Sequence, residues 1–321
     1  MLKRGLSVFL AAALMILCFF SVPVFAAEPE FDISDYTIED LETMTTAEKK
    51  KLMEDFIEAY NPYGLRDSME QEASASRGFG VQPLWKSDSD SSEEGQQMAT
   101  HQMVTLQAML MFMLDYGFYD VDVSLQLVIA LYVAAASGLP DLDERDGIFA
   151  EHFYDPRTGC GLNLLLNSAR DNVEDHYRHA HNVLAVNPYL SVTSDSAYYI
   201  WEQLGRALHY IQDVCEPHHA SSAAAGVSTH TQFEDHVENN IESLLPQRKT
   251  MPNSSYAVAK GKTAGELTHD AALTGRNRYK DVWNLGDKSK WDITATACLD
   301  DAVCYSARLI YKLFADCNVI V

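Results

Sequence analysis

Residues 123–137 read Val-Ser-Leu-Gln-Leu-Val-Ile-Ala-Leu-Tyr-Val-Ala-Ala-Ala-Ser. Wound as a helix, this run is apolar nearly all the way round, which suits the central helix of a bundle and not a surface helix with one wet face. The flanking sequence keeps the helical period. Met98–Tyr116, Ala169–Val186, Ser194–Val214, Thr229–Leu244, Ala264–Trp283 and Asp292–Asp316 all read as helices of ordinary length, and few stretches alternate as strands do. The expected fold is all-α, a multi-helix bundle. Polar, Gly- and Pro-containing stretches separate the helices, notably Gly138–Gly161, Glu216–Ser228 and Leu245–Thr263, and no internal repeat is evident.

The chain divides into three parts. Residues 1–26 carry Lys3 and Arg4, an apolar run from Leu6 to Phe20 and the small-residue pattern Val24-Phe25-Ala26, the features of a signal peptide, so the protein is expected to be secreted. No second uninterrupted apolar stretch of the roughly 20 residues needed to cross a bilayer follows, the nearest being Val128–Ala136. Residues 27–84 are acidic and polar, with one helical stretch at Thr46–Tyr60 and a Gly/Ser/Gln-rich tail that ends Gly78-Phe79-Gly80-Val81-Gln82-Pro83-Leu84. They read as a propeptide or tether and not as a second core. Residues 85–321 are enough for one well-buried domain.

That domain carries 17 Lys plus Arg against 32 Asp plus Glu, a balance of −15 in a chain whose formal net charge is −22. Nucleic-acid binders draw most of their affinity from Lys and Arg on phosphates, so no nucleic-acid partner is expected. Five cysteines lie beyond residue 26: Cys160, Cys215, Cys298, Cys304 and Cys317. The number is odd and no CxxC is present, which leaves one disulfide open and gives no thiolate metal site. Cys215 reads as a buried structural thiol.

Metal-binding side chains crowd the run Leu208-His209-Tyr210-Ile211-Gln212-Asp213-Val214-Cys215-Glu216-Pro217-His218-His219-Ala220, answered by His230-Thr231-Gln232-Phe233-Glu234. His209 and Asp213 stand four apart, as do His230 and Glu234, so each pair projects from one helix face, where imidazole nitrogen and carboxylate oxygen can share an ion. Pro217 ends the first helix and turns the chain back. Zinc suits such ligands in an exported protein because it takes neutral imidazole and carboxylate and has no redox chemistry.

The spacing His209-x3-Asp213-x5-His219-x10-His230-x3-Glu234 resembles the bacterial zinc-dependent phospholipase C family, whose all-α fold with a trinuclear metal site is shared by S1/P1-type nucleases. The resemblance extends upstream. Leu139-Pro140-Asp141 followed by Glu151-His152-Phe153-Tyr154-Asp155-Pro156 is similar to that family's aspartate and its His-Phe-aromatic-Asp-Pro element, and Ala99-Thr100-His101 follows Trp85 as the family's first zinc-binding histidine follows a mature amino-terminal tryptophan. The likeness covers most of residues 85–234 and weakens after it. It implies three Zn2+ per chain: one on Asp141, His152, His209 and Asp213, one on His219, His230 and Glu234, and one on His101, the bridging Asp213 and the terminal nitrogen and carbonyl oxygen of Trp85.

The resemblance further implies hydrolysis of a phospholipid such as phosphatidylcholine to diacylglycerol and a phosphorylated headgroup, at a transiently visited membrane surface, with Asp141 as general base. An α-amino group exists at Trp85 only after a processing protease cuts Leu84–Trp85, so residues 27–84 would be a zymogen segment. Leu142 stands where the family often carries an aromatic residue, which removes a cation-π contact to choline. The rival readings are a single-strand nuclease, disfavoured by His-x3-Glu where nucleases typically carry His-x3-Asp, and a non-catalytic zinc- or lipid-binding protein.

The other histidines, His176, His179, His181, His236 and His269, read as structural or surface residues. His218 is expected to diverge from His219 and point away from the site. Phe153, Tyr154 and Tyr210 suit a substrate cleft or core packing equally.

Overall fold

The computed structural model describes residues 31–64, 100–116, 123–144, 149–186, 194–224, 228–247 and 250–320. Trp85, the Leu84–Trp85 bond and the leader lie outside the described residues. Among those described there are twelve α-helices and no strand: α1 (Ile38–Thr43), α2 (Thr46–Tyr60), α3 (Thr100–Asp115), α4 (Val123–Ala136), α5 (Pro140–Asp143), α6 (Ala169–Val186), α7 (Asp195–Asp213), α8 (His230–Asn239), α9 (Ile241–Leu244), α10 (Asn253–Lys260), α11 (Ala264–Arg278) and α12 (Trp291–Asp316). The all-α expectation holds.

Helix α7 is the hub: α6 packs along it most extensively, and α3, α4, α11 and α12 also lie against it. Ser194 caps its N-terminus by accepting from Ala197 N, and of its last fourteen residues, Ile200 to Asp213, all but Glu202 are buried. Two glycines set how closely its neighbours approach. A Cβ on Gly205 would sit 2.5 Å from Ala136 Cβ and 2.6 Å from Val133 O, so only glycine lets α7 lie this near α4. Gly275 likewise brings α11 onto the end of α7, where a Cβ would meet Val214 O at 2.6 Å.

Burial explains the all-round apolarity of α4, in which Leu127 and the stretch from Ile129 to Ala136, Tyr132 excepted, are almost wholly covered. By length and composition the stretch Leu125–Asp143 could cross a membrane, but 78% of it is buried inside the fold. This is longer than the run read from sequence, because the helical turns around Gly138 extend it into α5.

Helix boundaries differ from expectation in three places. The stretch Thr229–Leu244 breaks at Asn240 into α8 and α9, and Ala264–Trp283 stops at Arg278, followed by a 3-10 turn over Tyr279–Asp281. Leu245–Thr263, read as a separator, holds α10, a polar helix whose only buried residues are Tyr256 and Ala259. Tertiary contact fixes it: Tyr256 packs on Tyr311, and its hydroxyl donates to Asp115 Oδ2 at 2.8 Å.

Of the presumed propeptide, the described residues 33–64 belong to the same compact unit as the helices that follow, Ile33–Val321. Capping boxes at Thr37/Asp40 and Thr45/Glu48 start α1 and α2. Helix α2 turns Leu52, Met53, Phe56 and Ile57 inward, and Phe56 meets Tyr132 of α4 edge-on at 5.3 Å. Lys49 is buried beside them, its ammonium donating to Gln107 Oε1 at 3.0 Å and Gln247 Oε1 at 3.2 Å.

All five described cysteines are free. Cys215 is buried, and burial pushes its thiol well above the ordinary range, as a structural role requires.

Candidate metal centre

Six chain segments deliver ligand-type side chains to one buried volume. Helix α3 supplies His101 from its first turn, and α5, entered through Pro140 at its first position, supplies Asp141. A 3-10 turn over Ala150–His152 supplies His152; Phe149 precedes it in the left-handed region at φ 59° and places its ring 5.6 Å from the His152 ring. Helix α7 supplies His209 and Asp213 one turn apart. The turn His219–Ser221 supplies His219, and α8 supplies His230 and Glu234. None of the eight is more than 2% exposed.

Asp213 is the point of convergence. Its Oδ2 lies 2.9 Å from His152 Nδ1 and 3.2 Å from His209 Nε2, and its Oδ1 lies 3.4 Å from His101 Nε2 and 3.6 Å from His219 Nδ1. The Asp141 carboxylate faces the same nitrogens, 3.6 Å from His209 Nε2 and 3.8 Å from His152 Nδ1. A second cluster sits beside it, where Glu234 Oε1 lies 2.7 Å from His230 Nε2 and 3.3 Å from His219 Nε2. Potential ligand atoms fall within 4.8 Å of one another in three sets: Glu216, His219, His230 and Glu234; His101, Asp141 and His209; His152, His209 and Asp213.

Hydrogen bonds on the far side of each ring aim the lone pairs inward. Gln212 donates from its amide nitrogen to Thr105 Oγ1 (2.8 Å) and Ser306 Oγ (3.1 Å), so its Oε1 must accept, and it lies 2.9 Å from His101 Nδ1. The His101 proton therefore sits on Nδ1, leaving Nε2 bare. The same logic gives His209 Nδ1–H to Ser137 O (2.8 Å) and His219 Nδ1–H to His152 O (2.9 Å). Three imidazoles are thus locked in the tautomer that presents Nε2 to the interior.

Burial and neighbouring charges pull these groups in opposite directions. Burial would raise the Asp213 pKa, yet the imidazoles of His209, His219 and His152 hold it well below the carboxylate range. Glu234 goes the other way: burial, then the carboxylates of Glu216, Asp213 and Asp141, push it well above. Burial likewise lowers His219 and, much further, His230, keeping both neutral. The buried Asp213 Oδ1 and both His230 ring nitrogens make no hydrogen bond. Neutral nitrogen lone pairs facing crowded carboxylates are the donor set a dication satisfies, so these residues fit zinc.

Sequence reading missed Glu216, which stood only as a helix end before Pro217. Its Oε2 accepts from His219 N at 2.8 Å, and its Oε1 takes the His218 Nδ1–H at 2.6 Å. The expectation that His218 points away is corrected: it is buried, stacks on His230 at 4.9 Å and lies 2.9 Å from Thr229 Oγ1 through Nε2. His218 is a buttress, held because the adjacent Glu216 clasps both ring and backbone.

His176 is also turned inward instead of lying on a solvated surface, with Nδ1 2.8 Å from Gln203 Oε1 and Nε2 3.2 Å from Glu144 Oε2. Phe153, Tyr154 and Tyr210 are core residues: Phe153 stacks on His219 with ring centroids 4.7 Å apart, and Tyr210 donates to Glu144 Oε2 at 2.6 Å.

In solved structures this arrangement of helices matches alpha-toxins. Alpha toxin from Clostridium absonum superposes with a TM-score of 0.58 at 18% identity, covering 68% of this chain and 63% of that one. Clostridium perfringens alpha-toxin from an avian strain gives 0.57 at 19% identity with the same coverage. The molecule therefore has the all-α alpha-toxin fold.

In sequence it is 27% identical over 147 residues to a phospholipase C of Bacillus cereus, and 26% identical over the same length to a second from that organism, each match covering 46% of this chain and 48% of the relative. The chain spans about half the length of the curated relatives it matches, and no protein-family model matches it. In sequence it is thus similar to bacterial phospholipases C, and in fold to the alpha-toxins.

Proposed function

We propose that this chain is an exported, zinc-dependent phospholipase C that hydrolyses a phospholipid, with phosphatidylcholine the leading substrate, to diacylglycerol and a phosphorylated headgroup. One observation carries the reading: imidazoles of His101, His152 and His209, from three separate segments, meet the Asp213 carboxylate within 3.4 Å in a buried site, while His219 and His230 meet Glu234 within 3.3 Å. The matched relatives named phospholipase C support it.

Asp141, His152, His209 and Asp213 would hold one zinc, and His219, His230 and Glu234 a second, with Glu216 among the same converging atoms. His101, Asp213 and the amino nitrogen and carbonyl oxygen of Trp85 would hold the third. Bound zinc supplies Lewis acidity toward a phosphoryl oxygen and lowers the pKa of the water it holds.

The chain's own groups do the rest. Asp141 takes the proton from the water that attacks phosphorus in line with the departing diacylglycerol oxygen. Gln212, Ser137 O and His152 O keep the imidazoles oriented, so no reorganisation is needed as charge develops. Freeing the Trp85 amine requires a protease to cut Leu84–Trp85, which makes residues 27–84 a zymogen segment.

The test pairs metal analysis and amino-terminal sequencing of the secreted protein with turnover assays on short-chain phosphatidylcholine and on single-stranded DNA. About three zinc per chain, a Trp85 start and lipid turnover are expected. Turnover of the DNA alone would replace this reading with the nuclease one, and an active form in which the Leu84–Trp85 bond is uncut would remove the zymogen step.

A further inference from the structure

In a chain of net charge −22, the segment Arg276-Asn-Arg-Tyr-Lys-Asp-Val-Trp-Asn-Leu-Gly-Asp-Lys-Ser-Lys290 runs against the trend, with five cations and two carboxylates. It also exposes two large apolar side chains, Trp283 at 60% and Leu285 at 51%. Arg157, Arg276, Tyr279, Lys280 and Trp283 line one open surface cavity. Arg157 belongs to a tight turn closed by the Asp155–Cys160 bridge, and the chain leaving that turn carries Leu164 and Leu165, 79% and 92% exposed. Exposed apolar side chains grouped together and rimmed by polar ones mark interaction sites.

This surface lies one layer outside the metal cluster. Tyr279 meets the His218 ring edge-on at 5.3 Å, and His218 stacks on His230. Thr229, next to His230, donates to Val282 O at 2.6 Å, and Arg276 Nη1 donates to Ser221 Oγ, two residues after His219, also at 2.6 Å.

We infer that Arg157, Lys280, Trp283, Leu285 and the Leu164–Leu165 loop form a docking face for an anionic phospholipid bilayer. Charge complementarity selects the occupant: Arg157 shares its charge with Asp155 and Lys290 with Asp281, so Lys280 and Lys288 supply most of the attraction to the negative leaflet while Trp and Leu side chains partition into its interface. The overall acidity does not oppose this at short range, because the Debye length in physiological salt is about 8 Å. The inference rests on the phospholipase reading, and it makes the membrane a partner recognised by surface chemistry separate from the metal ligands.

The experiment uses the full secreted protein carrying Asp141→Asn, to prevent turnover, in flotation with vesicles of phosphatidylcholine alone or with phosphatidylglycerol added. Binding is expected only to the anionic vesicles, falling about fivefold for each of Lys280→Gln and Lys288→Gln. It should fall further for Leu164→Ser/Leu165→Ser and should weaken with salt. In the parent background the same variants should keep their rate on monomeric short-chain phosphatidylcholine, which shows that fold and metal site are intact.

Equal binding to both vesicle types, indifference to the variants, or a dimer that the Leu→Ser pair dissociates would overturn the docking face. Vesicle binding without lipid turnover by the parent would sink the phospholipase reading while leaving the face standing.

Discussion

At the scale of single residues, the cluster depends on groups outside the candidate ligand set. Gln212 holds the His101 tautomer from below, so Gln212→Ala should weaken metal binding about 10–100-fold, measured by competition with a chelator of known affinity. Asp141→Asn should lower kcat about 10²–10⁴-fold while most of the zinc is retained, which elemental analysis alongside kinetics would separate. The two i,i+4 pairs, His209 with Asp213 and His230 with Glu234, were legible in sequence because each pair shares one helix face. His101, Asp141 and His152 were legible only through the family resemblance, since their partners lie far along the chain. Glu216 was not legible, because a carboxylate before proline reads as a helix stop and its backbone clasp on His219 exists only once the turn has formed.

At the scale of elements, close approach and one ionic knot hold α7 in place. Gly205→Ala would drive a methyl into Ala136 and Val133 O; about 3 kcal/mol is expected, or a fall in Tm of roughly 5–10 °C by calorimetry. Near the middle of α7, Arg206 pairs with Asp143, Glu144 and Glu202, and Glu144 also takes the Tyr210 hydroxyl proton and contacts His176. Burial opposes the Glu144 charge, but the His176 contact and the Arg206 guanidinium win and hold its pKa down to about 2, against 4.5 ordinarily. A depressed carboxylate stabilises the fold above its unfolded pKa, and that stability is lost as pH falls toward the folded value. The span from 4.5 to about 2 corresponds to about 3 kcal/mol. Glu144→Gln should therefore be less stable than the parent at pH 6, with the gap closing steadily below about pH 4.5 in urea titrations. The long amphipathic and all-apolar helices were legible because their periodicity is local. Helix α10 was not, because two buried side chains give no period and its place is set by Asp115 and Tyr311.

At the scale of the molecule, residues 33–64 are packed as core although their composition reads as a tether. Polar content hid this, since α2 buries one narrow face and conceals even the Lys49 ammonium behind two glutamine oxygens. Phe56→Ala should cost about 3–5 kcal/mol, as truncation of any fully buried aromatic does, and chemical denaturation of the uncut protein would show it. If a protease severs Leu84–Trp85, the amino-terminal piece has no reason to leave, because Leu52, Met53, Phe56 and Ile57 remain seated among their neighbours. Maturation would then yield a nicked two-chain particle that co-elutes as one species in gel filtration and parts only in denaturant. A polypeptide expressed from Trp85 alone, never having met its companion strand, should be the aggregation-prone form.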